Sequence, residues 1–455
     1  MVLKKGLTQS TTVDQVRAGS IGTSAESPID ALIIGTGPSG MVCLRNLLRD
    51  DPPLAVMAVD RQAIPGGIWN GHIPAYSTLQ DLVCEYECHG VRFPRREPAR
   101  RASRDQIAEF CHAYFKEFDL KDHVLWQHDV AKVEMVKPML HQVTLRPFVD
   151  GLESPVSQTI YTRSVLVCTG HNMEPYMPEF LGQETAKFPI KHNNNIRDAK
   201  ELPESDILVV GAGPSALDII QEACITQDAK DVHLVARSAH WGTPDLWWPW
   251  LWHLGWTELH LMRVLYRVMP IFVVDTIFYY IHLIWALIQG VPEWRPPLLP
   301  AYHAGQFRIH NNTSIKEIDG DRVTLTNGTV LHPKLLVAAT GWSTESAYLP
   351  EGVAAGEYDS LAAADAPRPL YCRFYDQDYP GIFYISVAAG FITYTESANF
   401  YSQAVNQILR GTWTPPDEKA IQKNLKEVVL HHISLPGLIE EDLEAAGFKD
   451  LRGEE

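Results

Sequence analysis

The sequence predicts an α/β protein made of two doubly wound units, the second inserted into the first. Two repeated patterns carry that prediction. An apolar run ending in a glycine-spaced turn occurs as "ALIIGTGPSG" at 31–40 and again as "ILVVGAGPSALD" at 207–218. A buried-strand pattern ending in Thr-Gly occurs as "SVLVCTG" at 164–170 and again as "LLVAATG" at 335–341. A length of 455 residues accommodates two or three domains of ordinary size.

The elements follow in chain order. Residues 1–28 are polar, rich in Ser and Thr and without periodicity, and read as a mobile tail. From Asp30 the chain reads strand, glycine turn, the helical "MVCLRNLLRD", and then the strand "LAVMAVD" ending at Asp60. "ASRDQIAEFCHAYFKEFDL" (102–120) places Ile107, Phe110, Cys111, Tyr114, Phe115 and Phe118 at helical spacing, with Ser103 as its cap. "NMEPYMPEFLG" is a Pro-broken connector. Turns at Asp319–Gly320 and Asn327–Gly328 divide short strands, and "TESANFYSQAVNQILRG" (395–411) reads as a helix. The expected domains are a tail at 1–28, a first domain at 29–203 resumed at 335–415, and a second at 204–334 carrying an insertion at 241–300. An acidic, partly helical tail is expected at 416–455.

Composition narrows the function. With 45% hydrophobic and 21% charged residues and a net charge of −16, the chain reads as globular and is poorly suited to nucleic acid or anionic membrane. No secretory leader pattern is present, and seven scattered cysteines fit reduced thiols, so a cytoplasmic setting is expected. Cys84 and Cys88, followed by His89, have neither redox nor zinc spacing, and no metal is expected.

Each glycine signature has a physical purpose. Gly35 permits a tight turn, Gly37 lets the backbone approach a pyrophosphate, and Gly40 allows close helix–strand packing. Pro38 and Ser39 open the helix whose N-terminus would hold the anion. Asp60, about twenty residues on, is placed to accept from a ribose hydroxyl, with Arg61 beside it. The second signature supplies Gly211, Gly213, Ser215 and Ala216, and its next strand, "VHLVAR", ends at Arg237 and Ser238. An arginine there can pair with a 2′-phosphate that an acid would repel. Two Rossmann-like dinucleotide-binding domains follow, the first for FAD and the second for NADPH, so that hydride can pass from nucleotide to flavin. Val130 is counted among the flavin-side contacts.

With these residues in hand the chain resembles the class B flavin-dependent monooxygenases, the flavin-containing and Baeyer–Villiger group, from about Asp30 to Gly411. "PGGIWN" resembles that family's G-G-x-W beside the flavin, which adds Gly67, Ile68 and Trp69 to the site. "HNNNIRD" (192–198) resembles the end of its fingerprint, and "ATGW" (339–342) resembles its late motif, which adds Thr340 and Gly341. The resemblance implies that reduced flavin captures O2 as a C4a-(hydro)peroxide and passes one oxygen atom to a small substrate. It also implies that the helix at 395–411 points its N-terminus toward the flavin. Several positions depart from the pattern. Around His192 the fingerprint's glycine and two aromatic positions hold Phe188, Ala186 and Ile196. In Y-x-x-L-x-x-N, Tyr76 and Leu79 match, but Leu82 replaces the asparagine; a register shift would let Asp81 stand in for it. Lys334 stands where the N-hydroxylating branch has an aspartate. Asp81 and His192 are the catalytic candidates, with a hydrogen-bonded structural role as the alternative for His192.

"WGTPDLWWPWLWHLGW" (241–256) holds six of twelve tryptophans and precedes the apolar "PIFVVDTIFYYIHLIWALIQG" (270–290). The run has the length of a membrane span, but Asp275 and His282 oppose one. Plant auxin-forming flavin monooxygenases resemble this chain here. The resemblance implies a helical lid that would keep water out and admit an apolar or aromatic substrate, with peripheral membrane contact as the competing expectation. The leading expectation is an FAD- and NADPH-dependent monooxygenase, its partners a small molecule and O2, acting in secondary metabolism. The alternatives are an NADPH-dependent reductase without oxygen insertion, and a membrane-peripheral, non-catalytic flavoprotein. The absence of C-x-x-C near either cradle weighs against a disulfide reductase.

Overall fold

Runs of apolar residues too continuous for a half-exposed strand form the parallel centres of two sheets. The computed structural model describes residues 11–94, 101–149, 152–153, 156–170, 174–237, 273, 298–343, 348–350, 370–385, 394–413, 416–417, 419–424 and 443–451. In the first sheet β1 (Ile29–Ile34) lies between β2 (Val56–Asp60) and the long β6 (Gln158–Val167), with Leu32 opposite Met57 on one side and Val165 on the other. Beyond β2 lies β3 (Val124–Trp126). Beyond β6 the antiparallel β5 (Leu140–Val149) and β4 (His128–Lys137) extend the sheet, and β15 (Ile382–Tyr384) joins β6 in parallel. The second sheet runs β7 (Ile190–His192), β14 (Leu335–Ala338), β8 (Ser205–Val210), β9 (Lys230–Val235), β10 (Phe307–His310), all parallel. A small antiparallel sheet of β11 (Ile315–Asp319), β12 (Arg322–Leu325) and β13 (Val330–Leu331) contributes Ile318, Val323 and Leu325 to the core on one side of it.

Two sequence expectations are corrected. Residues 11–28 are not a featureless tail. A short helix, α1 (Thr12–Arg17), carries a Thr11–Asp14 capping box and buries Val13 and Val16 against the first sheet. The boundaries of the inserted domain widen, because both β7 and β14, expected at the edges of the first domain, pair inside the second sheet. The two Thr-Gly strand endings look alike because each ends a strand paired on both sides, one in each sheet. In the C-terminal stretch Leu443, Phe448 and Leu451 are buried, and Phe448 stacks on Trp413 at 4.7 Å. The insertion at 241–300, apart from Val273 and 298–300, lies outside the described residues. Among the described residues no helix is long and apolar enough to cross a membrane.

The helices α2 (Pro38–Leu48) and α5 (Tyr394–Arg410) pack on each other across the first sheet; between these two in sequence lie α3 (Arg104–Glu117) and α4 (Pro214–Gln221). Ser103 caps α3 as expected, and with Gln106 it forms a capping box. A polar network joins α2 to α5: Asn46 donates to Asn399 Oδ1 (2.8 Å) and to Ser402 Oγ (2.9 Å). His89 Nε2 donates to the same Asn399 oxygen at 3.1 Å, and its Nδ1 accepts from the Tyr114 hydroxyl at 2.7 Å.

Burial, with the nearby Arg45 charge, brings the His89 pKa down to about 4, and burial brings that of His141 to about 4 as well. In the unfolded chain each imidazole protonates near its ordinary value of about 6.5. Stability is therefore full above about pH 6.5 and falls between there and about pH 4, by about 1.4 kcal/mol per pH unit for each histidine. Denaturation midpoints measured across that window test this, and His89→Gln should reduce the slope by about 1.4 kcal/mol per pH unit. An unchanged slope in that variant would contradict the assignment.

Candidate functional site

Both glycine turns are seated on a strand-end carbonyl. A β-carbon at Gly35 would lie 2.7 Å from the Cys168 carbonyl oxygen, and one at Gly211 would lie 2.2 Å from that of Ala339. Both glycines adopt positive φ, +96° and +112°. A β-carbon at Gly40 would meet the Gly35 carbonyl oxygen at 2.0 Å, so the helix after the first turn packs where only glycine fits. In the second unit Ala216 takes that place and is fully buried. The middle glycines differ from these. Gly213 has open space where its side chain would be, and the nearest atom at Gly37 is Gly67 Cα, 3.8 Å away. Each therefore leaves room for a bulky anion against bare backbone. Gly37 and Gly213 are N-caps of α2 and α4, neither helix has a side-chain cap, and each begins with proline, Pro38 or Pro214. Ser39 and Ser215 follow in the first turns, where the helix dipole favours an anion. Both cradles fit a dinucleotide pyrophosphate.

The end of β2 gathers the predicted flavin-side residues. Asp60 is buried; its Oδ2 accepts from the Thr36 backbone N–H (2.7 Å) and hydroxyl (2.6 Å), and its Oδ1 accepts from the Gln62 N–H (2.8 Å). Burial raises the carboxyl pKa, opposed by these bonds, that of the Thr36 hydroxyl foremost. Asp60 thus ties the glycine turn to the end of the strand. Arg61 pairs with Asp129 at 2.6 Å and lies over the Phe148 ring at 5.6 Å, and Val130 follows Asp129 in the core. Gly67, Ile68 and Trp69 form a single tight turn. It is held by the Gly66 N–H on Thr36 O (3.1 Å) and by Gln62 Nε2 on Gly67 O (2.8 Å).

At the crossing between domains His192 is buried. Its Nε2 donates to Gly341 O at 3.0 Å, its Nδ1 accepts from the Asn194 N–H at 3.2 Å, and its ring meets Trp342 edge-on at 5.4 Å. Burial lowers its pKa. Both nitrogens are thus engaged by backbone, tying residues 192–194 to Gly341. Gly341 also accepts from the Tyr176 N–H (3.0 Å), and the Thr340 hydroxyl donates to Tyr176 O (2.6 Å). Thr340 and Gly341 thus join the crossing directly after Ala339, under the second glycine turn. Arg237 is exposed just beyond β9. Ser238 lies outside the described residues. Asp81 lies on the strand Thr78–Leu82, and its side chain is likewise outside the described set. Sequence reasoning missed Thr36, whose signal was a hydroxyl residue between the two glycines, and Gln62 and Arg197, which carried none.

Replacing Thr36 by Val keeps its shape and removes the 2.6 Å donor to a buried carboxylate. Hydrogen bonds to charged groups contribute about 1.5–3 kcal/mol, so the FAD dissociation constant of Thr36→Val should rise about tenfold or more. Equilibrium dialysis of apoprotein against FAD measures this; unchanged affinity would contradict the role given to the Thr36–Asp60 pair.

The model for flavin-binding monooxygenase-like proteins matches residues 30–266. Flavin-containing monooxygenase GS-OX-like 7 of Arabidopsis thaliana is 26% identical over 235 residues, which is 45% of this chain and 48% of that protein. YUCCA7 of the same plant, named a probable indole-3-pyruvate monooxygenase, is 23% identical over 68% of this chain and 73% of its own. The chain spans about half the length of the first of these relatives. Among solved structures, the S-allyl-L-cysteine S-oxygenase of Allium sativum superposes with a TM-score of 0.65 at 16% identity, over 92% of this chain and 88% of that one. Cyclohexanone monooxygenase superposes at 0.64 with 13% identity, over 93% and 98%. At such identities these two show the shared fold. The chain belongs to the flavin-binding monooxygenase-like family.

Proposed function

We propose that this protein is an FAD- and NADPH-dependent monooxygenase that transfers one oxygen atom from O2 to a small apolar or aromatic molecule. The observation that carries the reading is the pair of cradles: each glycine turn sits on a strand-end carbonyl, and each leaves its middle glycine clear for a pyrophosphate. The bound flavin supplies hydride acceptance and oxygen activation. The chain's own residues bind and orient. Asp60 and Thr36 fix the first turn, and His192 fixes the crossing. The contrast between the two strand ends supports the division of cofactors, with a buried acid on β2 and an exposed Arg237 after β9. An acid suits an unphosphorylated ribose, whereas a guanidinium suits a 2′-phosphate. The apolar substrate class rests on the composition of 241–290, which would also favour exclusion of water. Asp81 stays a candidate beside the flavin on sequence grounds.

Two measurements test the reading. The flavin-loaded enzyme, given NADPH, 18O2 and a panel of aromatic thioethers, amines and ketones, should place one labelled atom in a product for each NADPH consumed. Steady NADPH oxidation yielding only labelled hydrogen peroxide across the panel would contradict oxygen transfer. Arg237→Ala should weaken NADPH by about tenfold to a hundredfold in anaerobic flavin reduction and leave NADH little changed. Equal losses with both nucleotides would return Arg237 to a structural role.

A further inference from the structure

The loop that follows the Gly-Gly turn is gripped from both domains. On the flavin side Arg104, at the start of α3, donates from Nη1 to Ile73 O (3.2 Å), and its backbone N–H donates to Ser77 O (3.1 Å). On the other side Arg197 Nη1 donates to His72 O (2.7 Å) and Gly71 O (3.4 Å). The Arg197 N–H in turn donates to Glu201 Oε1 at 2.7 Å. The Tyr76 hydroxyl donates to Ile196 O at 2.8 Å, and its ring packs against the core of the second domain. Burial raises the Tyr76 pKa, followed by the charges of Asp218 and Glu222, so the hydroxyl keeps its proton as a donor.

This loop is continuous with the turn that touches the first cradle. Gly66 donates to Thr36 O at 3.1 Å, and a β-carbon at Gly67 would come within 3.2 Å of Gly37 Cα. Ile196 is fully buried, and its partner in the clasp is a tyrosine from the opposite domain. Displacement of the second domain at residues 196–197 therefore pulls on 71–76, and through 66–67 on the backbone beside the pyrophosphate.

We propose that Tyr76 and Arg197 form an interdomain clasp of positioning residues that sets how the NADPH domain is seated against the flavin cradle, and with it the rate of hydride transfer. The proposal rests on the NADPH-to-FAD reading above and adds the residues that align the two partners. Tyr76→Phe removes only the hydroxyl, Arg197→Gln removes the charge, and Arg197→Lys keeps one charged donor.

Anaerobic stopped-flow of the FAD-loaded protein gives the limiting rate and the apparent dissociation constant for NADPH, with dithionite as a small reductant that needs no docked domain. Tyr76→Phe and Arg197→Gln should retain wild-type FAD content and lower the limiting rate with NADPH by about threefold to tenfold each. Arg197→Lys should recover part of the loss, the double variant should lose less than the product of the singles, and dithionite should reduce all of them at the wild-type rate. Wild-type limiting rates in the single variants, or equal losses with dithionite and NADPH, would overturn the clasp and leave the functional reading standing. A wild-type protein that NADPH does not reduce would overturn that reading and the clasp with it.

Discussion

A carbonyl oxygen stands where a side chain would begin, at Cys168 beneath Gly35 and at Ala339 beneath Gly211. That close approach is the constraint on which the rest of the architecture depends. It seats each glycine turn on the end of the neighbouring parallel strand, so the following helix must start there and aim its N-terminus outward. Replacing either glycine by any residue with a β-carbon would force apart the turn and the strand, because backbone cannot give way as a flexible side chain can. The same seating explains why two stretches as distant as "VCTG" and "AATG" look alike. Each is the platform for one turn, and each ends a strand paired on both sides in its own sheet.

Around that shared device the two units diverge in electrostatics. The first has a buried carboxylate, Asp60, with three donors from Thr36 and Gln62 around it. Burial and hydrogen bonding there oppose each other, and the bonds are what make a buried charge tolerable at all. The second unit ends its strand without an acid and presents Arg237 to solvent. One strand end is thus buried and internally satisfied, while the other presents an exposed cation. On the proposed reading, that asymmetry suits a flavin that stays and a nucleotide that comes and goes.

Much of this was legible in the sequence. The two cradles, the α3 helix with its Ser103 cap, and the α5 helix follow from glycine spacing and from apolar periodicity, which are local signals. What failed was anything requiring knowledge of a partner strand. "LLVAATG" read as a return to the first domain, yet Leu335–Ala338 lies between β7 and β8, because a parallel strand can be claimed by either sheet. The N-terminal stretch looked featureless because two valines, Val13 and Val16, are too few to produce a periodicity, though both are buried. His192 could be picked out by its motif, but its backbone partner could not, since the bond to Gly341 spans 149 residues. Tyr76 matched a family pattern, while its bond to the Ile196 backbone carries no sequence signature.

The account stands on hydride passing from a nucleotide in the second cradle to a flavin in the first. The most direct measurement is the anaerobic loss of oxidised-flavin absorbance with NADPH deuterated at C4, compared with the unlabelled nucleotide, using both C4 epimers. The account predicts that one epimer, and only one, slows the bleaching severalfold, because a fixed domain seating presents one face of the nicotinamide. Bleaching that is equally fast with both epimers and with unlabelled NADPH, or absent altogether, would contradict it.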